Sequence, residues 1–335
     1  MKIIKQIAPF TIVVLSVILS FVFLNFKQKE DGMKNTKEAV IEIVEFTDPA
    51  CTWCWGSEPI LRKLEYRYKE QIKISFVMGG LVEDAHTFMD NKNKIGGDLN
   101  SFNKQVGTHW LEASQRHGMP VLAEGFKLFD DENPSTYPMN IAYKAAQFQS
   151  EEIANKFLRR MREATAAEAK QTNTMEVLIE LAQESGLDIG MFITDMESGK
   201  ANKAFEEDRY LTRSHRANGF PSFLIKSKDG KEIMLRGYQS FENFKSTINH
   251  LSSNELIEYT PSVSEENIID FIKTFEKVAK VEIKESFDLH TDELDKLIGN
   301  LLEKKVIEEI IVGNSFYYQM PKEGAMCDDT GVCNL

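Results

Sequence analysis

Cys51 and Cys54 form a C-x-x-C in the run Val44-Glu45-Phe46-Thr47-Asp48-Pro49-Ala50-Cys51-Thr52-Trp53-Cys54-Trp55. The motif stands directly after a strand-like stretch and directly before a helix-like one. A cysteine at a helix start meets the positive end of the helix dipole and free backbone N–H groups, and both favour the thiolate. A second thiol three positions on lies on the same turn and can resolve a mixed disulfide. The flanking patterns constrain the fold further. Residues 40–46 alternate and are rich in β-branched side chains, which predicts a strand. Ile60, Leu61, Leu64 and Tyr68 recur at helical spacing within 56–69. Residues 72–78 form a second strand, closed by Gly79-Gly80. Strand, helix and parallel strand make a βαβ unit with the cysteines at its first turn.

From about 100 to 215 the patterns are helical, over 102–117, 138–149, 151–167, 174–185 and 188–198. This predicts a helical insertion covering the helix that bears the cysteines. Residues 222–226 are a strand, Asp229-Gly230 is a hairpin turn, 232–236 returns antiparallel and 241–251 is a closing helix. The order βαβ, insertion, ββα is a thioredoxin arrangement, an α/β fold over 40–251. Pro261 marks a boundary. Helices over 265–278 and 292–304, then a two-stranded wing over 306–311 and 315–319, resemble a winged helix and predict an α+β appendage at 262–320. That segment holds 13 acidic and 7 basic residues, a net of -6. A DNA reader is basic, so the appendage is expected to bind protein or dimerise. The whole chain, at -12, likewise points away from nucleic acid.

Residues 40–251 resemble a DsbA-type thioredoxin-fold oxidoreductase of the FrnE-like protein-disulfide isomerase branch. Asp48-Pro49-Ala50-Cys51-Thr52-Trp53-Cys54-Trp55-Gly56 carries that branch's Asp-Pro-x-Cys-x-Trp-Cys-Trp-Gly pattern at every fixed position. Gly219-Phe220-Pro221-Ser222-Phe223 stands where the fold places its cis-proline loop. The resemblance implies that Pro221 faces the Cys51 sulfur, that Cys51 is the nucleophile and that Cys54 resolves. It also implies a buried acid beneath the helix, and Glu45, six residues before Cys51, is the candidate, with Glu42 as its rival. Such a carboxylate has a raised pKa and takes the proton of Cys54. Trp53, Trp55 and Phe220 are the candidates for an apolar rim that binds substrate, although Trp55 packing against the insertion is an equal alternative. The histidines are scattered and suggest no metal site; His109 is a weak candidate for the groove. The expectation is an enzyme that oxidises or reshuffles disulfides and needs no dissociable cofactor. Its partners would be unfolded or cysteine-containing exported proteins and a redox partner that recycles it.

The N-terminus sets the compartment in this reading. Residues 7–26 carry no charge and follow Lys2 and Lys5. About 20 apolar residues suit a membrane span better than a cleaved signal core of about 7–15. Residues 1–26 are therefore read as an anchor, with a cleaved signal as the alternative, and 27–39 as a linker; the rest is expected outside the cytoplasm. The remaining cysteines, Cys327 and Cys333, lie in a tail at 321–335. They form a possible second redox pair, with a local staple and a metal site as alternatives. A non-enzymatic branch of the same fold is the rival function: the SpxH-like adapters, which deliver a substrate to the ClpXP protease and also carry a C-x-x-C. An adapter of that kind works in the cytosol.

Overall fold

The computed structural model describes residues 40–321. Strand β1 (Ile41–Thr47) alternates, so Ile41 and Ile43 pack on one face and Val44 and Phe46 on the other. Helix α1 (Thr52–Tyr68) follows and leads into β2 (Ile72–Met78), which pairs parallel with β1. Its apolar stripe of Ile60, Leu61, Leu64 and Tyr68 covers the Ile41/Ile43 face. Glu45 has the parity of those two isoleucines and is therefore carried under the same helix.

Six helices are inserted next: α2 (Leu99–His117), α3 (Tyr137–Gln147), α4 (Glu151–Ala166), α5 (Met175–Glu184), α6 (Ile189–Glu197) and α7 (Lys200–Ser214). Four of them start where the side chain of Asp98, Ser150, Thr174 or Asp188 accepts a free N–H of the first turn. Their core includes Phe102, Trp110, Tyr143, Phe157, Phe192 and Phe205, and Trp55 of α1 is built into it. Helix α7 is the one insertion helix that sequence periodicity did not mark. The sheet is completed by β3 (Ser222–Ser227) and β4 (Glu232–Arg236), in the order β2-β1-β3-β4, and α8 (Phe241–Leu251) packs beside α1.

The C-terminal part runs α9 (Glu265–Phe275), β5 (Lys277–Ala279), α10 (Lys280–Ser286), α11 (Thr291–Glu303), β6 (Glu308–Val312) and β7 (Ser315–Gln319). Its sheet has the order β5-β7-β6. This is a winged-helix arrangement with one strand and one helix more than expected. The helix predicted over 265–278 stops at Phe275 because Glu276 turns to φ 61, and the chain then enters β5. The module closes its core around Ile268, Phe271, Ile272, Ile283, Leu294, Leu301 and Tyr318, and Tyr66 of α1 completes that core. Burying such side chains is worth roughly 1.5–3 kcal/mol each. Helix α1 is thus held between the sheet, the insertion and the module.

Candidate functional site

Cys51 is the N-cap of α1, and its sulfur accepts the backbone N–H of Cys54 at 3.2 Å. The turn before it is built on Asp48. That buried carboxylate accepts the N–H groups of Ala50 (2.8 Å) and Leu81 (2.7 Å), the Thr136 hydroxyl (2.9 Å) and the Asn140 amide (2.8 Å). Burial pushes Asp48 above the usual carboxylate range despite these four bonds. Both cysteines are free thiols; Cys51 is 5% exposed and Cys54 fully buried. Burial, then the hydrogen bond with Cys51 and the charge of Glu45, push the Cys54 thiol well above its ordinary value.

Glu45 lies fully buried in β1. Burial pushes its carboxyl up to about 7, against the pull of Arg162 and a hydrogen bond from Thr47. Arg162, itself fully buried on α4, reaches Glu45 at 3.5 Å and the Thr47 hydroxyl at 2.6 Å, and also pairs with Glu58. The pairing continues outward. Arg159 bonds Glu58 (3.3 Å), Glu163 (2.8 Å) and Glu282 (2.8 Å), and its guanidinium lies 4.6 Å from the centre of the Trp55 ring. Arg62 donates to Glu282 (3.1 Å) and to the carbonyl of Lys277 (2.9 Å). Burial alone would raise Glu58, but Arg162, Arg159 and Arg62 hold it below its usual range. A continuous buried network therefore joins β1, α1, α4 and the C-terminal module. Such pairs add little net stability, but removing one partner leaves a buried charge alone.

The residues singled out from the sequence converge in part. Phe220–Pro221 is a cis peptide bond, and the Phe220 ring lies so close to Gly79 that a Cβ there would meet it at 2.0 Å. Trp53 is half-buried, with the His117 ring edge-on at 6.0 Å and Tyr238 at 5.8 Å. Trp55 departs from the expected rim. It is 1% exposed and its indole N–H donates to the carbonyl of Pro120 at 2.9 Å, so it packs the insertion and offers no face to a partner. Glu42 is half-buried and accepts from Ser75 at 3.1 Å, away from the buried network. His109 is not the histidine that touches this helix. His117 is: a Cβ on Gly56 would fall 2.5 Å from its ring. His117 accepts from Met119, has no partner for Nε2, and burial holds its pKa down at about 4. Sequence spacing gives no sign of it, since α2 intervenes. Tyr238 and Arg162 were equally unmarked, and Asp48 was marked only as the first position of the cysteine motif. Among the described residues no group of His, Cys, Asp and Glu is arranged to hold a metal ion. Cys327 and Cys333, the apolar segment 1–26 and the linker 27–39 lie outside the described residues.

The thioredoxin family model matches residues 45–246. The ClpXP adapter protein SpxH of Halalkalibacterium halodurans is 29% identical over 292 residues, covering 86% of this chain and 92% of its own length. The ClpXP adapter protein SpxH of Bacillus subtilis is 25% identical over 284 residues, with 83% and 89% covered. Among solved structures, a candidate protein disulfide isomerase from Nitrosomonas europaea superposes with a TM-score of 0.54 at 17% identity, over 64% of this chain and 98% of its own. That likeness shows the shared fold.

These relatives correct the function expected from the motif. Proteins similar over most of this chain carry the name of an adapter, so the disulfide oxidase or isomerase, and with it the enzyme, gives way to the rival. The physical reason is that the C-x-x-C pattern reports a fold and a helix cap, and both are compatible with a binding role. The same names stand against the expected partners, which were exported cysteine-containing chains, a redox recycling protein and the membrane. The names of these relatives likewise stand against the expected extracytoplasmic location. No described helix is long and apolar enough to cross a membrane.

Proposed function

The chain belongs to the thioredoxin family, and we propose that it uses this fold as an adapter that presents a client protein to a ClpXP-type protease. One observation carries the proposal. The similarity to the Halalkalibacterium adapter spans 292 residues, more than residues 1–251 hold, so it extends into the C-terminal module. The solved thioredoxin-fold structure, by contrast, is used up by 64% of this chain. The reading therefore takes the two parts together, and not the thioredoxin fold alone, as what this chain has in common with the adapters.

The geometry agrees with a scaffold. The module is fastened to α1 and α4 through Glu282, Arg62 and Arg159, so the two parts are held in one frame. Cys54 is fully buried and Cys51 nearly so, which leaves little sulfur for a protein thiol to approach. In this proposal Cys51, Cys54, Glu45 and Pro221 build the frame, while Trp53 and Phe220 face outward only in part. Delivery then needs no electron transfer.

The test is a protease trap. Catalytically inactive ClpP is expressed with the full chain, without it, and with Cys51→Ser/Cys54→Ser. The proposal expects proteins held in the trap only when the chain is present, and equally so with the double serine variant. Trap contents that do not depend on the chain would overturn it.

A further inference from the structure

The outer N–H and C=O groups of an edge strand face away from the sheet, and an edge left open is a template for another strand. The two sheets described here have four edges, β2, β4, β5 and β6, and three are covered or charged. At β2 the N–H of Met78 donates to Asp208 of α7 at 2.9 Å. At β5 the carbonyl of Lys277 accepts from Arg62 at 2.9 Å, and the N–H of Ala279 donates to Glu282 at 2.6 Å. At β4 the outer residues Glu232 and Arg236 are exposed and charged. The fourth edge, β6, pairs among the described residues with β7 alone. The two-residue turn Gly313-Asn314 fixes which of its groups are free. Glu308, Ile310 and Val312 exchange bonds with Gln319, Tyr317 and Ser315, so the N–H and C=O groups of Glu309 and Ile311 point outward. No other main-chain bond among the described residues reaches them. Ile311 is 79% exposed, more than any other large apolar side chain among those residues. The edge is also held still. Asn314 donates its N–H to the Val121 carbonyl (3.1 Å), accepts the Val121 N–H (2.9 Å) and donates its amide to Ser114 (2.9 Å). The hairpin is thus docked on the insertion by its tip.

We propose that β6 takes up an extended segment of the client as a fourth strand of the module's sheet, with an apolar residue opposite Ile311 and a lysine or arginine opposite Glu309. The proposal rests on the adapter function above. Free N–H and C=O groups spaced along an edge are met by another extended backbone, and a helix has none to offer. The client residues opposite Glu309 and Ile311 stand two apart and share one face, so an antiparallel segment reads apolar, any residue, basic. Glu309 is exposed and, among the described residues, in no ion pair. The module around it carries a net charge of -6, so the side chain that suits this position is a cation. A second copy of the same edge does not supply one. Laid antiparallel, it sets Glu309, Ile311 or Gly313 against Glu309 and brings two acidic modules together.

The probe is a labelled peptide, Thr-Thr-Ile-Thr-Lys-Thr-Thr, in three forms: unmodified, N-methylated at Ile and Lys, and N-methylated at the threonines on either side of Ile. In the paired strand the Ile and Lys amides donate to β6 and the threonine amides face away, so only the first methylation blocks pairing. Fluorescence anisotropy follows binding to the full chain, to Ile311→Pro and to Glu309→Lys. Proline at 311 removes an outward N–H and no bond within the sheet, so the fold is kept, which a thermal melt verifies. Expected is binding of the unmodified and threonine-methylated peptides. Methylation at Ile and Lys, or Ile311→Pro, should weaken it roughly tenfold or more, and Glu309→Lys several-fold. The protease trap is filled beside it, and Ile311→Pro is expected to load less client than the parent. No peptide binding, equal binding of the two methylated forms, or parental binding or loading by Ile311→Pro would each overturn the edge proposal while leaving the adapter standing. A parent chain that sediments as a dimer, which Ile311→Pro dissolves, would give the edge to a second copy and overturn it as well. A trap that the parent does not fill would instead remove the adapter function, and the edge's client with it.

Discussion

Replacing Glu45 with glutamine tests the buried network at its deepest point. The carboxyl titrates at about 7 in the folded chain against an ordinary value of 4.5, and burial is the main cause. A folded acid that holds its proton more tightly than the unfolded one loses stability as pH rises from the unfolded pKa through the folded one. Below about 4.5 both states are protonated and nothing is lost. Above about 7 the full penalty is present. The difference of about 2.5 pH units corresponds to about 3 kcal/mol. Glutamine has the same shape and no charge to bury, so Glu45→Gln escapes this penalty. It gives up the charge on the pair with Arg162, a constant cost once ionisation is complete. Urea denaturation of parent and variant at pH 4.5, 6 and 8.5 isolates the residue, because all other titrating groups cancel in the difference. The variant is expected to gain about 3 kcal/mol on the parent between pH 4.5 and 8.5, or roughly 6 °C in melting temperature for a chain of this size. A difference between the two proteins that does not change with pH would refute the argument that burial governs Glu45.

Other perturbations probe the same frame from other sides. Glu282→Gln leaves Arg62 and Arg159 facing a neutral amide at the module boundary; about 3–5 kcal/mol of stability should be lost, with faster amide exchange across 265–319. Unchanged exchange there would mean the module is held by apolar contact alone. His117 should be neutral at pH 5.5 and take up a proton only near pH 4, because burial lowers its pKa, so its contribution is lost as pH falls from about 6.5; imidazole NMR resonances moving between pH 6 and 7 would contradict this. Trp55→Ala removes a core ring and orphans the Pro120 carbonyl, and should cost about 3–5 kcal/mol in chemical denaturation. A loss below about 1 kcal/mol would place that ring outside the core.

How far the sequence could be read follows from the range of each signal. The β strands of the thioredoxin part were legible because alternation is local, and the C-x-x-C because it stands between two such local patterns. Helix α7 was not. Lys200, Lys203, Glu206, Glu207, Asp208, Arg209 and Arg213 crowd it, and few positions such as Ala201 and Phe205 are buried. Helix α10 has seven residues, too few for a period to show, and β5 has three, hidden behind what reads as a continued helix. Of the buried network only Glu45 was legible, through its offset from Cys51 in the family that the sequence resembles. Glu58, Arg159, Arg162 and Glu282 are each ordinary charged residues in sequence, and only the fold brings them together with it. His117 meets Gly56 from 61 positions away for the same reason. Function was misjudged where a specific local motif was taken to carry its chemistry with it. In this chain the motif shapes a helix start, and the similarity to the adapters extends well beyond the motif.

The most direct measurement is of protein lifetimes across the proteome, taken by isotope pulse-chase in cells with and without this chain and with and without ClpXP. An adapter predicts a small set of proteins whose half-lives lengthen to the same extent in either deletion, and no further in the double deletion. Lifetimes that respond to loss of ClpXP but not to loss of this chain would contradict the adapter function.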